Sequence, residues 1–203
     1  MKVHDFNFIE RLRKQVESLK GTNNMLIKAF DGSDSVISEK TWDAALLACG
    51  AVIEAVDEVM VGGFRNAFCA TRPPGHHAGI FGKTFHADDE CGEKATSNGF
   101  CFINNVSVAA AYAKSRYRDS IKKIAIVDFD VHHGNGTQET VEVLRGPKMF
   151  AVTAGESSSV FQTVDLIQKQ YKPWLDYDDA QNVLYTSVHL YSRAASPKHQ
   201  ESN

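Results

Sequence analysis

The stretch KIAIVDFDVHHGNGTQ, Lys123 to Gln138, decides the fold. Its first half, Lys123 to Phe129, is a nearly uninterrupted β-branched run, and a strand of that kind is expected to be buried on both faces, as in parallel sheets. Its second half is polar, with Asp128, Asp130 and His132 at alternate positions, so their side chains share one face for as long as extended geometry lasts. Oxygen and imidazole donors converging at a strand end suit a zinc ion. A single Asp-x-His is as readily a helix cap or an ion pair, but two acids and a histidine behind an apolar strand tip the balance toward a metal. Gly134-Asn135-Gly136-Thr137 then lets the chain turn sharply and start a helix at about Thr137. No Gly-Lys-Ser/Thr closes it, so it is not a phosphate-binding P-loop.

Outward from this stretch, strands and helices alternate. Between Glu39 and Val61 the positions Trp42, Ala45, Leu46, Cys49, Val52, Ile53, Val56 and Val59 recur every three or four residues and predict an amphipathic helix stopped by Gly62-Gly63. Asn66 to Ala70 reads as a short strand, and Arg72-Pro73-Pro74-Gly75 forces an extended, turn-rich exit. Asn104 to Tyr117 reads as a second helix and Gln138 to Leu144 as a third, while Met149 to Thr153 and Val183 to Val188 read as strands. This alternation predicts a parallel α/β sheet, whose ligand site lies in the loops leaving the carboxyl ends of the strands.

Two of those loops carry clustered histidines. Pro73-Pro74-Gly75-His76-His77-Ala78 sets adjacent imidazoles on a proline-stiffened loop, where they can act as an acid–base pair if each is oriented by its own partner. A histidine pair alone is more often a surface accident; beside a metal-type strand end the odds reverse. A segment from His86 to Cys91 also holds donor residues, but its spacing fits no standard zinc unit and it reads as a solvated loop.

Composition narrows the classes. At 203 residues, with 43% hydrophobic and 23% charged content, the chain is long enough for one globular domain with a real core. A net charge of −3 over both signs leaves no basic stripe for nucleic acid. Cys49, Cys69, Cys91 and Cys101 form no CxxC pair, and no apolar signal region follows Met1, so an intracellular, reducing compartment is expected. No stretch is apolar for long enough to span a membrane. A serine hydrolase would need a Gly-x-Ser-x-Gly elbow, and Gly155-Glu156-Ser157-Ser158-Ser159 is not one.

Three blocks, RPPGHHAG (Arg72 to Gly79), GFCFINNVSVAAAYA (Gly99 to Ala113) and VDFDVHHGNGTQ (Val127 to Gln138), resemble the histone deacetylase signature in order and spacing. More loosely, the resemblance extends from the helix before Gly62 to VLYTSVHLY (Val183 to Tyr191). It implies an α/β fold with a parallel β-sheet and helices on both faces, an arginase/deacetylase-like three-layer arrangement. It also implies zinc-dependent hydrolysis of N6-acetyl-lysine. Asp130 and His132 match two zinc ligands, His77 the general base, and His76 its neighbour, oriented by Asp128. Asn135 stands where the class II pattern has asparagine facing the second histidine. Phe100 matches an aromatic wall of the acyl-lysine channel, with Gly99 giving backbone access. A structural potassium ion behind the zinc is implied too, at Asp128, Ser187 and Val188. Implied partners are acetylated histones or other acetyl-lysine proteins and corepressors, with no direct nucleic-acid or membrane contact, in the nucleus, the cytoplasm or both.

The family's third zinc ligand, an aspartate, and its transition-state tyrosine have no counterpart before Asn203. The expectation is therefore one partial catalytic domain over residues 1–203, incomplete at its carboxyl end, with 192–203 a disordered tail and an apolar sheet edge left exposed. A catalytically silent form acting through protein–protein interaction is the alternative to an active hydrolase. Related arginase-type folds bind two manganese ions through Asp-x-His-x-Asp ligands, whereas this strand reads Asp-Phe-Asp-Val-His-His.

Overall fold

The computed structural model of the chain describes residues 2–21, 28–30, 34–82, 84, 99–142, 174 and 178–189. Helix α1, Phe6–Glu17, is one the sequence reading did not name. Asp5 Oδ1 caps it, accepting from the Asn7 and Phe8 amides at 2.8 and 3.2 Å, and Phe8, Ile9, Leu12 and Val16 form its buried stripe. Strands β1 (Lys28–Ala29) and β2 (Val36–Ile37) pair antiparallel. Phe30 and Ile37, from this hairpin, are fully buried against the α1 stripe.

Helix α2, Thr41–Met60, fills the range expected of it and packs on α1 and on α3, Asn105–Arg116. Its buried positions are Ala45, Ala48 and Cys49, while Leu46 of the expected stripe is exposed. The apolar stripe is wider than the surface those two neighbours offer. At the far end of the α2–α3 contact, the Asp57 carboxylate accepts from Tyr112 at 2.9 Å and from Tyr117 at 2.7 Å.

Asn66 to Ala70 is not a strand. It runs exposed with no ladder partner among the described residues, and Phe68 is 93% exposed. An apolar run becomes a strand only where a neighbour takes up its backbone groups.

Strand β3, Ile124–Asp128, lies parallel to β4, Val183–Ser187, which follows the short helix α5, Asp179–Asn182. The register sets Ile124 opposite Val183 and Asp128 opposite Ser187. One face of this pair is buried: Ile126 and Val183 pack with Ala110, Ala111, Val141 and Trp174. On the other, Val127, Phe129, Leu184 and Val188 are exposed, so burial of β3 on both faces is not met among the described residues. Buried Lys114 of α3 reaches Asp179 at 3.4 Å and ties α5 to the same layer. Helix α4, Asn135–Glu142, begins two residues before the expected Thr137. The expected elements at Leu144 and Met149 to Thr153, the 192–203 tail and the His86 to Cys91 loop lie outside the described residues. No helix among the described residues is long and apolar enough to cross a membrane.

The buried polar centre of the fold is Asn104, fully buried at the head of α3. Its Oδ1 accepts from the Ser107 amide at 3.0 Å and caps the helix, while its Nδ2 donates to Ala78 O and Thr137 Oγ1, both at 3.1 Å. Asn104→Ala is therefore expected to cost roughly 3 kcal/mol or more, a helix cap plus two stranded buried acceptors, read as a lower urea midpoint. A loss under about 1 kcal/mol would mean that water replaces the amide.

Glu139 of α4 is also buried, with Oε2 unpartnered among the described residues and against Gly79, where a Cβ would collide with the carboxyl. Burial pushes its pKa up to about 8. A carboxyl raised in the folded state contributes stability below its ordinary value of 4.5 that is lost as pH rises toward 8. Glu139→Gln removes that loss. Denaturation curves of the two proteins should converge near pH 4.5 and separate with rising pH, by up to about 1.4 kcal/mol per pH unit; a gap that does not change with pH would contradict the assignment.

Candidate active site

The loop from Arg72 to Gly79 and the turn after β3 meet at His77, close to Gly99. Thr137 N–H donates to His76 O at 3.0 Å, which seats the start of α4 on the histidine loop. The two imidazoles lie 4.1 Å apart, centroid to centroid, at an interplanar angle of 50°.

Each has its own partner at Nδ1. His76 Nδ1 is 3.0 Å from Asp128 Oδ2, and both side chains are largely buried. His77 Nδ1 is 2.8 Å from Asn135 Oδ1. The Gly136 amide also donates to that oxygen at 3.0 Å, and Asn135 Nδ2 donates to Thr84 Oγ1 at 2.7 Å. A backbone N–H must face an oxygen, so the amide orientation is set and His77 Nδ1 must be the donor. The neutral ring then keeps its lone pair on Nε2.

Burial holds His77 below its ordinary pKa of 6.5; the Asn135 hydrogen bond opposes that shift, and His76 and His132 add to it. Close to the same ring, Gly99 has φ +51°, and a Cβ there would strike the imidazole. Glycine is required at that position on both counts. Phe100 follows with φ +64°, uncommon for a bulky residue, and its ring is exposed. Its amide donates at 2.9 Å to the hydroxyl of Ser35, a fully buried residue 65 positions earlier in the chain.

Asp130 and His132 behave differently from Asp128. Strand geometry ends at Asp128, because Asp128 Oδ1 accepts from the Asp130 amide at 3.1 Å and Asp130 Oδ1 from the His132 amide at 2.8 Å. These consecutive side-chain-to-backbone turns replace the expected alternation. Asp128 goes inward to His76, while the side chains of Asp130 and His132 are 49% and 75% exposed. The His132 ring stands 6.1 Å from that of His77. The His132 amide, foremost, keeps the Asp130 pKa below the usual carboxylate value, so it is an anionic donor at neutral pH.

A carboxylate and an imidazole beside the histidine pair suit zinc in kind. Among the described residues no third histidine, cysteine, aspartate or glutamate completes the group. Near the residues expected at the potassium site, Asp128 O accepts from Val188 N–H at 2.8 Å, and Ser187 Oγ lies 2.9 Å from His189 Nδ1.

Several residues at the site were not singled out from sequence. Tyr185 donates to Gly134 O at 2.9 Å and, more weakly, to Asp128 Oδ2 at 3.5 Å. Cys101 Sγ accepts from the His77 amide, and burial pushes the thiol up to about 12, so it stays protonated. Asn104 was legible as a helix start; Ser35 and Thr84 carry no local signal, because their partners are more than fifty residues away.

The family model described as a histone deacetylase domain matches residues 1–203. Type-2 histone deacetylase 2 of Dictyostelium discoideum is 42% identical over 158 residues, 68% of this chain and 9% of that protein. Histone deacetylase HDA1 of Candida albicans is 38% identical over 119 residues, 58% of this chain and 13% of that protein. Among solved structures, the crystal structure of the HDA15 HD domain matches with a TM-score of 0.57 and 28% identity, covering 92% of this chain and 37% of that one. The chain thus spans about a tenth of the length of these curated relatives and little more than a third of the solved chain.

Proposed function

The chain belongs to the histone deacetylase family and has its arginase/deacetylase α/β fold, and on that premise we propose that its site hydrolyses the acetamide of N6-acetyl-lysine in histones or other proteins. The observation that carries this reading is the pair of Nδ1 contacts, His76 to Asp128 and His77 to Asn135, which leaves the two Nε2 atoms for proton transfer.

Asp130 and His132 would hold a zinc ion, which when bound supplies a Lewis acid and an acidified water. His77, neutral at physiological pH, takes a proton from the water at Nε2 and returns it to the leaving lysine nitrogen. Asn135 fixes its tautomer without adding charge. His76, oriented at Nδ1 by Asp128, stands beside the reacting carbonyl as a neighbour to His77. Phe100, exposed and held by Ser35, presents an aromatic wall to the alkyl chain of the substrate, and Gly99 lets that chain approach the His77 ring.

Acetate release from an acetyl-lysine peptide by the zinc-supplemented protein tests this reading. His77→Ala should lower kcat on the order of a hundredfold to ten-thousandfold; unchanged turnover would overturn it. A second reading, a catalytically silent chain acting through protein contacts, is favoured by a donor group that is incomplete among the described residues and by Val127, Phe129 and Leu184, exposed among those residues. Folded, zinc-supplemented protein that releases no acetate would support it.

The pH profile gives a separate check. With His77 below 6.5, the acid limb of kcat/KM should lie below that pH. In Asn135→Asp, a carboxylate against Nδ1 favours the imidazolium, so the acid limb should move to higher pH. A limb that stays in place would remove His77 as the group that titrates.

A further inference from the structure

His4 lies outside every motif and reaches both halves of the site. Its Nδ1 is 2.8 Å from Gly79 O, and its Nε2 is 2.9 Å from the amide nitrogen of Asn104, 100 residues away. The ring is 6% exposed and packs on Phe8 of α1 at 5.3 Å. Gly79 O can only accept and the Asn104 N–H can only donate. The imidazole must therefore be neutral, with its proton on Nδ1. An imidazolium would set two N–H groups against each other.

The next residue extends this grip, because the Asp5 amide donates to Ile80 O at 2.9 Å. Asn104, held by His4, itself holds Ala78 O. Three consecutive carbonyls directly after His77, those of Ala78, Gly79 and Ile80, are thus tied to Asn104, His4 and Asp5. Asn104 also ends the segment that begins at Gly99 and Phe100. One ring accordingly spans the loop of the histidine pair and the segment of the channel wall.

We propose that His4 is a positioning residue, whose neutral ring sets the distance between the His76–His77 pair and the Gly99–Phe100 wall. The catalytic part of this proposal rests on the deacetylase reading given above; the positional part does not. Burial also holds His4 at about pH 4, in keeping with a ring that stays neutral across the physiological range.

The test compares His4→Leu, which keeps the contact with Phe8 and removes both hydrogen bonds, with His4→Gln, whose amide offers one donor and one acceptor. Amide hydrogen exchange is read over residues 76–79 and 101–104, with α2 as internal reference. His4→Leu should speed exchange in both segments on the order of tenfold or more with α2 unchanged, and His4→Gln should restore most of the protection. In the zinc-supplemented protein, His4→Leu should lower kcat on the order of tenfold to a hundredfold with little change in KM, and His4→Gln should recover it.

Exchange that is unchanged in the two segments, or that rises equally in α2, would overturn the proposal, as would altered exchange with unaltered kcat. If the wild-type chain releases no acetate, the deacetylase reading fails while the exchange result still decides the positional claim. Should His4→Leu fail to fold, the nitrogen-15 shifts of the wild-type His4 ring decide instead. A neutral Nδ1–H ring at pH 6 is expected, and an Nε2–H tautomer or an imidazolium would overturn the proposal.

Discussion

A single buried carboxamide, that of Asn104, joins the parts on which the site depends. Its oxygen caps α3, its nitrogen holds Ala78 O and Thr137 Oγ1, and its backbone amide is held by His4. An amide can satisfy that mixed demand because it carries donors and an acceptor on one rigid plane. An apolar residue there would uncap α3 and strand groups from two distant segments, Ala78 O and Thr137 Oγ1, and each stranded group costs about 1–3 kcal/mol. Satisfied in full, such a network specifies one arrangement of the loops rather than several.

Around this hub the interior is kept uncharged where the loops cross, and charge is used where the chemistry is proposed. At His4 and Glu139, which both meet Gly79, burial favours the neutral form, driving the base down and the acid up. Asp128 stands at the end of β3, against His76. Asn135 meets His77 with a neutral oxygen instead, which leaves that imidazole less basic than a carboxylate would. Adjacent histidines with one charged and one neutral partner have different electrostatics, which divides their proposed roles.

Local pattern made much of this legible, and long-range contact hid the rest. The helix α2 follows from the spacing of its apolar residues, and α3, β3 and β4 from the composition of their own runs. Helix α1 was equally readable, with Asp5 before Phe8, Ile9, Leu12 and Val16, yet went unnamed. Asn66 to Ala70 misled because strand formation needs a partner that the segment itself does not encode. Coverage of β3 on both faces misled similarly: β-branched composition says what a face prefers, not which neighbour the described chain supplies. At the site, His76 meets Asp128 and His77 meets Asn135. The common face of Asp128, Asp130 and His132 gave way to turns that aspartate itself promotes. His4 and Ser35 had no signal, since each acts on a segment far away in sequence.

The central claim is that Asp130 and His132 hold zinc beside the histidine pair, and zinc-edge X-ray absorption on the metal-loaded protein tests it most directly. The account predicts a shell of nitrogen and oxygen at about 2.0–2.2 Å with imidazole scattering, lost in Asp130→Ala and His132→Ala. A sulfur shell at about 2.3 Å, or a spectrum that neither substitution alters, would contradict it.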